Sequence, residues 1–127
     1  MAVRQQERSV VYIVDSDAAV RTDLARLLRN AGLDPRPYAC VERFLDEVRA
    51  SPRACILLDL TLPQMASPEV RARIRKQLFA LPVIAVSPTD AADSARNLGA
   101  RLFLRKPVDE QALMDAIHWV IPGNNER

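Results

Sequence analysis

Apolar residues along the chain fall into two alternating rhythms. Val10-Val11-Tyr12-Ile13-Val14 is a short β-branched run, the pattern of a strand buried on both faces. Val20, Leu24, Leu27, Leu28 and Ala31 then recur at helical spacing and form one stripe of an amphipathic helix. Asp17 is placed to cap that helix, and Gly32 stands where a glycine would end it. Leu33 to Tyr38 contains two prolines, which predicts a short, irregular edge strand. Val41, Phe44, Leu45 and Val48 predict a second helix, and Ala54 to Leu58 a third strand. Ser67-Pro68, a cap followed by a first-turn proline, opens a third helix carried by Val70, Ile74 and Leu78. Val83 to Val86 is a fourth strand, and Ala91, Ala95 and Leu98 mark a fourth helix ended by Gly99. Leu102 to Leu104 is a fifth strand. Leu113, Ile117, Val120 and Ile121 give a last helix, stopped by Pro122-Gly123. Five strands alternating with five helices predict an α/β fold with one parallel sheet and right-handed crossovers.

Length and composition narrow the class. At 127 residues, 49% hydrophobic and 27% charged, the chain has the size and apolar content of one domain with a real core. The longest apolar run, Leu78 to Val86, is broken by a proline and falls far short of the ~18 residues of a membrane helix. The first nine residues are polar and lack an apolar stretch, which argues against a signal peptide. The expected layout is a polar segment over 1–9, the domain over 10–121, and a tail or linker stub over 122–127. A net charge of +2 is too small to imply nucleic acid. Arg71, Arg73, Arg75 and Lys76 spread around their helix at ~100° per residue and read as a solvated surface. Cys40 and Cys55 have no metal-binding spacing and read as reduced thiols of a cytoplasmic protein.

In an open parallel sheet, ligands bind outside the carboxyl ends of the strands. The first strand ends at Asp15, the third at Asp59 and the fourth at Ser87, while Arg105 and Lys106 follow the fifth. Two carboxylates, a hydroxyl and an ammonium therefore gather at one rim. That set suits a divalent cation together with a phosphoryl group. With Leu57-Leu58-Asp59-Leu60-Thr61-Leu62-Pro63-Gln64-Met65 the chain resembles the CheY-like receiver domains of bacterial two-component response regulators, over Val10 to Ile121. The resemblance implies a doubly wound, flavodoxin-like sheet of order 2-1-3-4-5. It implies that Asp59 accepts a phosphoryl group from a histidine kinase, and that Asp15, Asp59 and the Thr61 carbonyl hold Mg²⁺. Ser87 and Phe103 would be the switch residues, and Lys106 would pair with the phosphoryl group. The Lys106-Pro107 bond matches a position that is often cis. The implied partners are a sensor histidine kinase or phosphotransfer protein, a second copy across the fourth helix, fifth strand and fifth helix, and a fused or separate output domain.

Four departures from the family pattern bear on chemistry. Ser16 replaces the second of two adjacent acids, so the Mg²⁺ site is expected to be weak or absent. Asp17 would compensate only if it were not capping the helix. Pro88 follows Ser87 and has no N–H to offer a phosphoryl oxygen. Ser67 stands where glycine is usual, and the stretch from Ser87 to Lys106 is about three residues short, roughly one helical turn. One alternative is a receiver that has become a docking module independent of phosphorylation. A remoter one is a haloacid-dehalogenase-type phosphotransferase, with Asp15 as nucleophile and Asp17 as acid/base. That class needs a later acidic pair and room for a cap, and this sequence offers neither.

Overall fold

The computed structural model describes residues 8–77 and 81–121. Its elements run β1 (Val10–Val14), α1 (Ala18–Asn30), β2 (Asp34–Tyr38), α2 (Val41–Glu47), β3 (Ala54–Asp59), α3 (Pro68–Gln77), β4 (Val83–Ser87), α4 (Ala92–Leu98), β5 (Leu102–Arg105) and α5 (Glu110–Val120). All strand pairs are parallel, and their order across the sheet is β2-β1-β3-β4-β5. The alternating strands and helices therefore fold as the pattern predicts. The expected helix positions Leu78 and Pro122-Gly123, and most of the terminal segments, lie outside the described residues.

Strand residues alternate between two cores. Tyr12, Val14, Ile56, Leu58 and Val83 point to the side covered by α2 and α3, where they meet Phe44, Leu45 and Ile74. Val11, Ile13, Cys55, Leu57 and Ile84 point to the other side and meet Leu28 of α1 with Leu113 and Ile117 of α5. A sheet apolar on both faces explains why its strands read as unbroken hydrophobic runs.

Helix ends follow local chemistry. The Asp17 carboxylate accepts from the N–H groups of Ala19 and Val20, at 2.9 and 3.3 Å, and so caps α1. The Ser67 hydroxyl accepts from Val70 N–H at the start of α3. Gly32 (φ +85°) and Gly99 (φ +95°) make the left-handed turns after α1 and α4, a conformation that costs glycine little.

Two segments differ from the sequence reading. β2 is a regular five-residue strand in register with β1, despite its prolines. Asp34 N–H donates to the Ser9 carbonyl, toward β1, so by alternation Pro35 and Pro37 turn their nitrogens to the outer edge, where no ladder bond is lost. A 3₁₀ turn over Pro63–Ala66 also follows β3, a segment too short to show periodicity.

Candidate functional site

The carboxyl ends of β1, β3, β4 and β5 bring Asp15, Asp59, Ser87 and Lys106 to one rim. Asp15, Asp59 and Ser87 are almost fully buried, at 3%, 2% and 1% exposure. β3 and β4 each run one residue further than the apolar pattern suggested, so Asp59 and Ser87 are strand residues held by the sheet. Asp59 is in register with Val86, and Leu60 N–H donates to the Val86 carbonyl. This pins the loop after Asp59 to the end of β4.

Lys106 joins the two carboxylates. Its Nζ donates to Asp15 Oδ2 at 2.7 Å and lies 3.5 Å from Asp59 Oδ2. Burial alone would lower the lysine's pKa. The Asp15 hydrogen bond and the charges of Asp15 and Asp59 outweigh that penalty and raise it. The other oxygen of Asp15 accepts from Asp17 N–H at 2.9 Å. Arg21 reaches back from α1 to the Asp15 carbonyl at 2.7 Å.

Asp59 has its own local partner. Both the N–H and the hydroxyl of Thr61 donate to Asp59 Oδ1, at 2.9 and 2.7 Å. The sequence reading placed only the Thr61 carbonyl at the site. The available signal was the Asp-x-Thr spacing, which favours a side chain closing a turn on its own backbone. At the end of β4, Thr89 N–H donates to Ser87 Oγ at 3.2 Å, a contact the sequence reading also missed. Phe103 is half-buried and in register with Ala85, two residues before Ser87, so it and Ser87 lie on the same face of the sheet. The Lys106–Pro107 peptide is cis.

Asp17 joins this rim through its backbone alone. Its carboxylate caps α1, and Ser16 is exposed. Capping also occupies the group that the phosphotransferase alternative needs as acid/base. Among the described residues there is no cluster of three or more acidic, histidine or cysteine side chains suited to a metal ion. A cleft of about 440 Å³ opens beside the carboxylates, with Val20, Leu24, Pro107 and Val108 among its apolar walls.

A family model described as "Response regulator receiver domain" matches residues 11–118. The chain belongs to this receiver family. Receiver domains are signalling modules of two-component systems, and phosphorylation on an aspartate is their general function. The chain is 30% identical to the transcriptional regulatory protein TdiR of Thauera aromatica, across 98% of its own length and 56% of that protein. It is 33% identical to the response regulator protein TodT of Pseudomonas putida, across 86% of itself and 49% of TodT. It thus spans about half the length of the curated relatives it matches. A response regulator receiver protein from Burkholderia phymatum has a crystal structure that superposes with a TM-score of 0.74 at 31% identity, covering 91% of this chain and 96% of that one.

Proposed function

We propose that Asp59 is the phosphoacceptor of this receiver. A carboxylate oxygen attacks the phosphorus of a phosphohistidine on a sensor histidine kinase or phosphotransfer protein. The new P–O bond makes an acyl phosphate, the P–N bond breaks, and the released imidazole takes up a proton from solvent. Ser87 donates its hydroxyl to a phosphoryl oxygen, Lys106 pairs with its charge, and Phe103 moves with Ser87. The observation that carries this reading is the setting of Asp59: a carboxylate fixed at the end of a central strand, one oxygen held by Thr61 and the other facing the Lys106 ammonium.

Mg²⁺ is the cofactor the family implies. Asp15, Asp59 and the Thr61 carbonyl are hard oxygen donors of the right chemistry, with one anionic oxygen fewer than usual because Ser16 is neutral. When bound, the ion would neutralise charge on the transferring group. The domain over 10–121 would pass its signal to a fused or separate output domain, which the greater length of the relatives supports. A second copy docked across α4, β5 and α5 would provide the regulated surface. No helix among the described residues is long and apolar enough to cross a membrane, and a kinase-fed receiver works in the cytoplasm.

The second reading, a docking module that does not use phosphorylation, draws on Ser16, Pro88 and the existing Lys106–Asp15 pair. Incubation with acetyl phosphate, with and without Mg²⁺, followed by intact mass, separates the two. The first reading requires one added phosphoryl group that disappears in Asp59→Asn. Label that persists in Asp59→Asn, or no label at all, overturns it.

A further inference from the structure

Pro88 lines the cleft together with Asp59 and Lys106, yet it has no N–H to give a ligand there. The first backbone donor after Ser87 is therefore Thr89 N–H, and it is directed at the Ser87 hydroxyl oxygen at 3.2 Å. The Thr89 hydroxyl lies 3.4 Å from the same oxygen. Two contacts, one from the last residue of β5 and one from the residue after it, clamp this short segment. Arg105 donates to the Pro88 carbonyl at 3.3 Å, and Lys106 N–H donates to the Ser87 carbonyl at 2.9 Å.

We propose that Thr89 is a positioning residue that replaces the missing donor at Pro88, acting on the phosphoryl group through Ser87. The inference rests on Asp59 being the acceptor. A serine hydroxyl has one proton and two lone pairs. Thr89 N–H fills one lone pair and fixes the oxygen. The Thr89 hydroxyl donates to the other, which leaves the Ser87 proton to point at a phosphoryl oxygen. The chain Thr89 O–H to Ser87 O–H to phosphoryl oxygen polarises each link, so the serine donates more strongly than it would alone. Ser87 is buried and Thr89 exposed, so the relay runs from the surface into the site. No bond is made or broken in this step.

The test is titration of the protein with the beryllium trifluoride anion in Mg²⁺ buffer, using calorimetry. Four variants are needed: Thr89→Val, Thr89→Ser, Pro88→Ala and the pair Pro88→Ala with Thr89→Val. Thr89→Val keeps the N–H and the branched shape but removes the hydroxyl, and should weaken binding about 3–10-fold, the worth of one hydrogen bond. Thr89→Ser should bind like the parent. With an N–H restored by Pro88→Ala, adding Thr89→Val should change affinity by less than about twofold, because the direct donor makes the relay redundant. An equal loss in both backgrounds, or none in either, overturns the role of Thr89. If acetyl phosphate labels the parent at Asp59, that failure belongs to Thr89 alone. A parent that takes neither label nor beryllium trifluoride overturns the acceptor assignment as well.

Discussion

Lys106 lies closer to Asp15 than to the proposed acceptor Asp59, at 2.7 against 3.5 Å, across a separation of 91 residues from Asp15. The ammonium is thus held mainly by Asp15 and not by the proposed acceptor. It is in place for an incoming phosphoryl group without fully masking the Asp59 charge.

This pairing sets a pH window. Burial would lower the Lys106 pKa, but the Asp15 hydrogen bond and the two carboxylate charges raise it above the ordinary 10.5. A raised folded pKa means the pair stabilises fully below the unfolded lysine value and loses that effect as pH rises through the folded one. The stability difference between wild type and Lys106→Met should stay flat from about pH 7 to 9 and shrink only above lysine's ordinary pKa of 10.5. Urea unfolding across that range checks it. A difference that does not shrink above that pH, or that grows there, would show that the ammonium gains nothing from Asp15 and Asp59.

Asp17 should behave as a cap. Asp17→Ala removes the acceptor for Ala19 and Val20 N–H and should cost about 1 kcal/mol in chemical denaturation, while Asp17→Asn should cost much less. Both variants should be phosphorylated by acetyl phosphate at the parent rate. A large loss of labelling in Asp17→Asn, with normal stability, would place that carboxylate at the metal instead.

Ser16 is the point where the proposed metal site has one carboxylate fewer than the family pattern. Ser16→Asp should tighten Mg²⁺ by about 10–100-fold, the usual scale for changes around a metal. Calorimetric titration of the two proteins decides it. Equal affinities would mean that a different group already supplies the missing anion.

The two cysteines should separate cleanly by reactivity. Cys55 is wholly buried in β3, and burial pushes its thiol up to about 12. Cys40, at the start of α2, is only half-buried. Alkylation near neutral pH should give one adduct on Cys40, with Cys55 reacting only after unfolding. Mass mapping that finds Cys55 modified in the native protein would reveal local opening of the central sheet.

Most of the architecture was legible because a sheet buried on both faces needs strands that are apolar at every position. Val10–Val14 and Ala54–Leu58 could hardly be anything else. β2 was misjudged as irregular because a proline count ignores which edge each nitrogen faces. At the site, the rim residues followed from strand ends alone, and the capping role of Asp17 needed only local geometry. Lys106's preference for Asp15 depends on a side-chain distance across 91 residues that no spacing records, while the bonds of Thr61 to Asp59 and of Thr89 to Ser87 had only a two-residue spacing as their signal. Arg71 was read as solvated surface, yet it donates to the carbonyls of Met65 and Ser94 and ties α3 to the turn after β3 and to α4.

Pro35 and Pro37 give the sheet a direction of growth. A strand offered by another chain alongside β2 would find carbonyls but no N–H at those two residues, so it could not complete a ladder there. The margin still able to recruit a complete ladder is β5, four residues long and ending in Arg105 beside Lys106, the lysine proposed to pair with the phosphoryl group. Complete ladder pairing is thereby confined to the flank that the proposed switch residues Ser87 and Phe103 also occupy. On the opposite flank, a visiting strand could give its N–H groups to the two proline carbonyls but would find no donor there for its own carbonyls.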